Sequence, residues 1–156
     1  MLLVLHNIRS VHNVGSIFRT SDAAGVDEII LSGYTPTPLD RFQQPRKDFT
    51  KVSLGAEKTV PWQYVKTLSA TLKQLQRENY LLVAIEQDTN SIPLFDWQPP
   101  TNRPLAVFVG NEVRGISKPL LKKCDVILEI PMRGKKESLN VSVTAGIALF
   151  ALAQRT

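Results

Sequence analysis

The sequence has few of the side chains that form metal sites and disulfide frameworks. Its 156 residues include one cysteine, Cys124, and two histidines. One cysteine cannot form an intrachain disulfide framework, and so few soft ligands argue against a zinc site. The apolar neighbours of Cys124 indicate a small core residue. We therefore expect no bound metal and a reducing compartment, namely the cytoplasm.

Long apolar runs and the common nucleotide-binding motifs are missing as well. No stretch approaches the roughly 20 apolar residues of a membrane span, so we expect no membrane partner. The apolar run at the N-terminus is too short for a signal peptide, and no basic flank precedes it. There is no GxGxxG and no Gly-x-Ser-x-Gly, and the Lys-Ser/Thr of a Walker site does not follow Gly115. A classical dinucleotide fold, a Walker site and a hydrolase elbow therefore have no support.

The composition is that of an ordinary globular domain with a basic balance. Apolar residues make up 43% and charged residues 21%, and the length fits one domain. Lysine and arginine number 19 against 14 acidic residues, which gives a formal charge of +5. This balance makes a polyanion such as RNA or DNA a reasonable partner. A mildly basic surface that binds no nucleic acid is the alternative.

Short apolar runs alternate with helical patterns along the chain. Strands are predicted for residues 1–8, 27–32, 80–86, 105–110 and 126–130. Helices are predicted for residues 14–24, 61–79, 116–123 and 139–154, with a loop containing short ordered pieces at 33–50. This alternation predicts an α/β fold with a mostly parallel sheet and helices on both faces.

Residue types at the ends of these elements suggest caps and a ligand site. Asn13 is a plausible N-cap of the first helix, and Gly25 is its stop. Ser117 is a possible cap of the third helix, and Ser138 and Asn140 are candidate caps of the last. Ligands of such sheets bind outside the carboxyl ends of the strands. This rule indicates Glu86, Gly110 and Ile130 with Pro131.

The first unusual segment is His-Asn-Val-Gly-Ser-Ile-Phe-Arg at residues 12–19. Gly15 lies in the first turn of a predicted helix, where glycine is unfavourable, so another backbone is expected to approach closely there. Arg19 follows Asn13 by six residues on a helix whose other face is apolar. A capped helix with a surface arginine is the alternative interpretation.

Two further segments each join a strand to a polar loop. Residues 108–117 read Phe-Val-Gly-Asn-Glu-Val-Arg-Gly-Ile-Ser, and their glycines would let a planar ligand touch the main chain. An ordinary strand-to-helix turn is the alternative. Residues 130–143 lead from a strand through a basic loop into a helix, where capping alone explains Ser138 and Asn140. Ala145, Gly146 and Ala148 allow close packing of that helix, either in the core or across a dimer.

In order and spacing, the three segments resemble the motifs of the SpoU (TrmH-like) branch of the SPOUT superfamily of RNA methyltransferases. These motifs are Asn-x-Gly-x-x-x-Arg, Gly-Asn-Glu-x-x-Gly and Ile-Pro-Met-x-Gly-x-x-x-Ser-Leu-Asn-Val-x-Val. The resemblance runs from Asn7 to Ala153. It implies one SpoU-type domain over residues 1–156, a SPOUT-type fold with a C-terminal trefoil knot, and a homodimer. It also implies methyl transfer from S-adenosylmethionine to a ribose 2′-hydroxyl of RNA.

The resemblance also implies roles for individual residues. It assigns cofactor contacts to seven residues: Glu86, Gly110, Asn111, Gly115, Ile130, Met132 and Leu139. It assigns hydroxyl activation to Arg19, assisted by Asn13, Glu112, Ser138 and Asn140. A guanidinium with a pKa above about 12 is an awkward base, so we favour electrostatic stabilisation of the RNA phosphate and the developing alkoxide by Arg19. Glu112 is expected to orient Arg19 through a charged pair, and Asn140 to fix the ribose.

Basic loops flanking these motifs are the expected RNA contacts. The candidates are Arg9, His12, Arg41, Arg46, Lys47, Lys51, Arg133, Lys135 and Lys136. Solvated faces are the alternative for such clusters. We expect tRNA rather than rRNA, because a short chain has little room for extended rRNA recognition. A catalytically silent RNA-binding module and a plain α/β nucleotide-binding domain are the competing functions.

Overall fold

Seven parallel strands form the centre of the molecule in the computed structural model, which describes residues 1–100 and 102–154. The strands are β1 (Leu2–His6), β2 (Glu28–Ser32), β3 (Trp62–Val65), β4 (Leu81–Ile85), β5 (Ile92–Pro93), β6 (Leu105–Val109) and β7 (Val126–Glu129). Their order across the sheet is β3-β2-β1-β6-β4-β7-β5, and each of these pairings is parallel. The predicted α/β fold with a mostly parallel sheet is confirmed.

Six helices cover the two faces of this sheet in the described part of the chain. They are α1 (Val11–Ala24), α2 (Lys47–Ser53), α3 (Ala56–Thr59), α4 (Ser69–Arg77), α5 (Lys118–Leu121) and α6 (Val141–Ala153). Successive strand residues point to opposite faces. Accordingly, Leu3 and Leu5 pack with α1 and α6, whereas Leu2 and Val4 pack with α4 and α5. Helices on both faces, as the sequence predicts, bury a separate apolar cluster on each side.

The segment predicted as one helix at 61–79 is instead a strand followed by a helix. Residues 62–65 form the edge strand β3, and only residues 69–77 are helical. The spacing of Val65, Leu68, Leu72 and Leu75 suits a helix. However, the aromatic and β-branched residues Trp62, Tyr64 and Val65 favour a pleated strand. The short helices α2 and α3 and the two-residue strand β5 were not assigned from the sequence.

Helix caps differ from the prediction at one end and agree with it at the other. The hydroxyl of Ser10 caps α1 by accepting from the backbone N–H of Asn13, so Asn13 is not the N-cap. Gly25, with φ +71°, ends α1 as predicted. Asn140, not Ser138, caps α6, and its side-chain oxygen accepts from the N–H of Ser142 at 2.8 Å. The side chain of Ser117 makes no capping hydrogen bond to α5.

The small residues of α6 face inward, and an apolar stripe faces outward. Ala145 and Ala148 are fully buried, so their close packing occurs in the core. On the outer side, Val143 and Phe150 are 48% and 45% exposed, and Ile147 lies between them at helical spacing. The outer face of α6 therefore carries an apolar stripe, Val143–Ile147–Phe150, whose two ends are exposed and whose middle residue is half-buried. No helix of the described chain is long and apolar enough to cross a membrane.

Another helix approaches the chain closely at Gly15, as the sequence predicts. A Cβ atom added there would lie 3.2 Å from the carbonyl oxygen of Phe49 and 3.2 Å from the Cβ of Val52, both in α2. The ring of Phe49 packs edge-to-face on Phe18 of α1 at a centroid distance of 5.2 Å. A side chain at position 15 would therefore crowd the contact between α1 and α2, whereas glycine leaves room for it.

We expect Gly15→Val to lower the free energy of unfolding by about 1–3 kcal/mol, because the added methyl groups overpack this contact. Urea denaturation measures the change. Gly146→Ala is the matched control, since a Cβ there would make an ordinary 3.4 Å contact with Thr20. The control should be neutral or up to about 1 kcal/mol more stable through helix propensity. A Gly15→Val protein as stable as the unsubstituted chain would contradict the packing argument.

Candidate active site

A pocket of about 210 Å³ opens at the carboxyl ends of β4, β6 and β7. The first turn of α6 forms one wall through Val141 and Thr144. All seven residues proposed as cofactor contacts line this one pocket: Glu86, Gly110, Asn111, Gly115, Ile130, Met132 and Leu139. The strand-end rule and the sequence motifs therefore converge on one place, the edge of the sheet where parallel α/β proteins bind ligands.

Two glycines of this pocket are required by the protein's own packing. A Cβ on Gly110 would lie 2.6 Å from the carbonyl carbon of Gly115, so the loop can fold back only on a glycine. Gly115 has φ +63°, and a Cβ there would collide with the carboxylate of Glu86. That carboxylate accepts the N–H of Ile116 at 2.8 Å. The closed turn therefore explains both glycines without any ligand.

The side chain of Asn111 shapes the same loop. Its oxygen accepts the N–H groups of Val113 at 2.9 Å and Arg114 at 2.8 Å. Its amide nitrogen donates to the carbonyl of Asn7 at 2.9 Å and to the hydroxyl of Tyr34 at 3.0 Å. Because these four bonds use the whole hydrogen-bonding capacity of a buried amide, a ligand could contact Asn111 only through its main chain or by van der Waals packing.

Glu112 binds the N-terminal end of α1. Its carboxylate accepts the N–H of Arg9 at 2.9 Å, the N–H of Ser10 at 3.1 Å and the side-chain amide of Asn13 at 3.1 Å. Partial burial raises the pKa of Glu112, but these hydrogen bonds outweigh burial and hold the pKa below its ordinary value. A carboxylate at this position also complements the positive end of the helix dipole. Glu112 is therefore a fixed anion and a poor proton acceptor.

One directed chain of hydrogen bonds joins the three sequence motifs. Glu112 only accepts, so the amide nitrogen of Asn13 must face it, and the oxygen of Asn13 faces away. That oxygen accepts from the amide nitrogen of Asn140 at 3.2 Å. The oxygen of Asn140 in turn accepts from the backbone N–H and hydroxyl of Ser142, at 2.8 and 2.7 Å. The carboxylate thus fixes the orientation of both asparagines at the mouth of the pocket.

In the described part of the chain, Arg19 is neither hydrogen-bonded nor ion-paired to the other four residues proposed for catalysis. Asn13, Glu112 and Asn140 form the chain just described, and Ser138 lines the pocket. Arg19 is exposed on α1 and does not line the pocket. The expected charged pair between Glu112 and Arg19 is wrong within one chain, because backbone and amide donors occupy the carboxylate.

Six of the nine basic residues proposed as RNA contacts fall into two groups. Arg133, Lys135 and Lys136 are exposed on residues 131–140, the loop that carries Met132 and Ser138 into the pocket. The side-chain amide of Gln87 donates to the carbonyl of Glu137 at 2.7 Å and ties this loop to the end of β4. Arg9 is exposed next to Glu112.

The second group lies beyond the pocket, around a cavity of about 490 Å³ that Arg41 and Arg46 line. Arg46 forms a salt bridge with Asp48 at 2.8 Å, and that hydrogen bond raises the pKa of the guanidinium. Lys47, Lys51 and His12 are exposed elsewhere on α2 and α1. One guanidinium of the expected cluster is therefore already paired with a carboxylate.

Sequence reasoning missed three residues at this edge of the sheet. Tyr34, Gln87 and Thr144 hold or line the pocket. Tyr34 and Gln87 each follow a strand closely, so the rule that selected Glu86 and Gly110 could have found them. No sequence pattern indicated that Thr144 lines the pocket, because it lies inside a helix of small and apolar residues.

The described chain offers no metal centre. No group of three or more His, Cys, Asp or Glu side chains in residues 1–100 and 102–154 could hold an ion. Cys124 is half-buried against the cluster under α4 and α5, and burial raises the pKa of its thiol to about 12. It is therefore a protonated core side chain, as its apolar neighbours indicate.

Fold and site together define an α/β domain with a small-molecule pocket at the carboxyl edge of a parallel sheet and a hydrogen-bonded polar cluster at its mouth. Residues 1–150 match the sequence model of the SpoU rRNA Methylase family. The chain belongs to that family. It is 36% identical over 156 residues to the 23S rRNA (guanosine-2′-O-)-methyltransferase RlmB of Salmonella typhi, a match that covers 99% of this chain and 60% of that protein.

Solved structures show the same fold. The AdoMet-bound rRNA methyltransferase of Sinorhizobium meliloti superposes with a TM-score of 0.85 at 27% identity, over 99% of this chain and 55% of that one. The TrmH/SpoU tRNA modifying enzyme of A. aeolicus gives 0.83 at 26% identity, over 99% and 74%. The SPOUT-type fold is confirmed, and the trefoil knot stays a prediction. The chain spans about 60% of the length of the curated relatives it matches.

We expect Asn13→Ala to raise the pKa of Glu112, because one donor to its carboxylate is lost while its burial stays. Carbon-13 NMR of the side-chain carboxyl measures this, with Asn102→Ala, just before β6, as control.

The pKa of Glu112 is lowered on folding, so its contribution to stability is present above the unfolded pKa and is lost as pH falls through the folded pKa. Glu112→Gln should therefore lose less stability on acidification than the unsubstituted chain. An unshifted titration in Asn13→Ala would exclude the contact.

Proposed function

We propose that this protein is an RNA methyltransferase that transfers a methyl group from S-adenosylmethionine to a ribose 2′-hydroxyl. The observation that carries the proposal is the hydrogen-bonded chain Glu112–Asn13–Asn140, which joins three distant motifs at the mouth of a strand-end pocket. Membership of the SpoU family and a neighbour solved with AdoMet support it. A cytoplasmic location belongs to the same proposal.

The pocket suits the two chemical parts of this cofactor. Apolar side chains at the strand ends, Ile85, Val109 and Ile130, offer a slot for a flat purine. Polar groups of Glu86 and Thr144 lie on the same walls. When bound there, S-adenosylmethionine supplies an electrophilic methyl group on a positively charged sulfur. In this proposal Met132 and Leu139 close the slot and keep water out.

The polar cluster at the mouth would position the ribose. Asn140 is held by Asn13 on one side and by Ser142 on the other, so its amide presents a fixed edge. Ser138 lies beside it on the pocket rim. Because the lowered pKa of Glu112 makes it a poor base, we assign it to orienting the cluster. Alignment of the hydroxyl with the methyl group would supply much of the acceleration.

A homodimer is part of the proposal. The stripe Val143–Ile147–Phe150 exposes two large apolar side chains, Val143 and Phe150, on α6, which packs against α1. Exposed apolar surface of this kind is typical of protein interfaces. Such an interface would lie beside α1, the helix that carries Arg19.

In a dimer of this kind Arg19 would act on the partner's pocket. Within its own chain, Arg19 lies outside the pocket and Glu112 does not bind it. Its guanidinium would stabilise the RNA phosphate and the developing alkoxide, as a planar cation with five donors can. The charged pair expected between Glu112 and Arg19 is not needed for that role.

We propose rRNA as the substrate class. The curated relatives at 35–36% identity are named as 23S rRNA methyltransferases. The tRNA expectation rested on the shortness of the chain and finds no support in them. The tRNA-modifying neighbour from A. aeolicus is 26% identical, which is the weaker similarity.

We expect S-adenosylmethionine and its demethylated product to bind in the pocket of the unsubstituted chain. Thr144→Trp should abolish this binding, because the indole would fill the space between α6 and Gly110. Thr144→Ser keeps the hydroxyl without adding bulk and should retain binding. Isothermal calorimetry measures both, and circular dichroism checks the fold. No heat of binding with the unsubstituted chain, or unchanged binding in a folded Thr144→Trp, would overturn the cofactor assignment.

We expect Arg19→Ala to leave cofactor affinity nearly unchanged and to lower single-turnover methylation of rRNA by a factor on the order of 10² or more. Arg19→Lys should recover little, because an ammonium group cannot reproduce the planar fork. Normal turnover in a folded Arg19→Ala would remove Arg19 from catalysis.

Mixing inactive variants tests whether Arg19 acts across the dimer. Arg19→Ala and Thr144→Trp are each expected to be inactive alone. A mixed dimer would pair one intact pocket with one intact arginine, so co-refolded protein should regain measurable activity. Phe150→Asp should give a monomer in sedimentation and lose activity. No regain from a confirmed mixed dimer would place Arg19 in its own chain's site.

A further inference from the structure

Three aromatic rings are exposed beyond the pocket, next to β2 and β3. Tyr34, Phe42 and Tyr64 are 57%, 68% and 47% exposed. We call them the aromatic surface. Tyr34 and Tyr64 line the 490 Å³ cavity together with Arg41 and Arg46. Large rings are usually buried, so two exposed rings on one cavity, with a third in the loop beside it, call for a ligand.

The two tyrosine rings are held in fixed orientations. The hydroxyl of Tyr64 donates to the carbonyl of Gly33 at 2.7 Å. The hydroxyl of Tyr34 accepts from the amide of Asn111 at 3.0 Å. Each ring is thus tied at its polar end and left exposed along its side. Such rings lose little conformational freedom when a planar group stacks on them.

The loop carrying Phe42 is shaped in advance as well. The carboxylate of Asp40 accepts the N–H groups of Phe42 at 2.8 Å and Gln44 at 2.9 Å. The guanidinium of Arg41 lies 4.7 Å from the centre of the Phe42 ring. Asp40 is the one carboxylate among the described residues that line the cavity, and these N–H groups bind one of its two oxygens. The cavity therefore combines fixed aromatic faces with guanidinium charge.

Tyr34 joins this cavity to the pocket. Its partner Asn111 lies in the wall of the pocket, so one hydrogen bond links the two. A polymer that places one unit at the pocket would pass over the aromatic surface with a neighbouring unit. Nucleobases stack on aromatic rings and phosphates pair with arginine, whereas a duplex keeps its bases stacked inside.

We propose that the aromatic surface binds unpaired bases of the RNA strand next to the methylated nucleotide. The inference rests on the proposed RNA substrate and adds that the substrate is single-stranded there. Tyr34 and Tyr64 stack bases, while Arg41 contacts a phosphate. Arg46 remains largely committed to Asp48.

The test compares a fluorescein-labelled oligoadenylate with the same strand annealed to its complement. Fluorescence anisotropy at low salt should show tighter binding of the single strand. Tyr64→Ala should weaken single-strand binding about 5-fold or more, with little change for the duplex. Phe42 lies in an exposed loop, so Phe42→Ala should leave the sheet intact and should also weaken single-strand binding. Tyr64→Phe keeps the ring and should lose less.

Phe95→Ala is the matched control, because Phe95 is 51% exposed after β5, at the opposite edge of the sheet. Equal single-strand affinity in folded Tyr64→Ala and Phe42→Ala, an equal loss in Phe95→Ala, or no preference for the single strand would each overturn the inference. Calorimetry with S-adenosylmethionine and a methylation assay on rRNA are run on the same proteins. If the protein methylates rRNA and the aromatic variants have no effect, the proposed function stands and the aromatic surface is excluded. If the protein binds the single strand selectively but does not bind S-adenosylmethionine, the proposed function is excluded and the aromatic surface stands.

Discussion

The carboxylate of Glu112 is the contact on which the arrangement of the site depends. It crosses from the loop after β6 to the first residues of α1, and three donors hold it there. Because a carboxylate can only accept, it sets the direction of every bond that follows through Asn13 to Asn140. The start of α6 is thereby positioned against the start of α1. The start of α1 is thereby joined to the loop after β6, about 100 residues away, and to the start of α6, about 130 residues away.

Most of the sheet could be predicted from the sequence, and the reasons are local. Five strands show as short apolar runs, and the alternation with helices implies parallel pairing. The prediction of one helix over residues 61–79 was wrong, because the apolar spacing of α4 extends back into the edge strand β3. The strand β5 has two residues, too few to show a period. The order of strands depends on contacts distant in sequence, which no local pattern records.

At the site, residue types could be predicted more readily than their purposes. Gly110 and Gly115 were expected to admit a ligand, yet each is required where the loop closes on itself and on Glu86. Asn111 was expected at the cofactor, yet its side chain supports the turn. Glu112 was expected to pair with Arg19, but its carboxylate accepts hydrogen bonds from main-chain N–H groups and from Asn13 instead. A sequence shows which groups are present, whereas the competition among partners for one acceptor is decided only by the fold.

The position of β1 between β2 and β6 has a consequence for synthesis on the ribosome. Leu2 of β1 pairs with Ala106 of β6, so β1 is made long before one of its two neighbours exists. At about 5–20 residues per second, that delay is on the order of 5 to 20 s. Throughout it, an apolar strand with an unpaired edge stays open to other nascent chains. This domain should therefore engage chaperones during translation more than a helical bundle of equal length, whose contacts close locally.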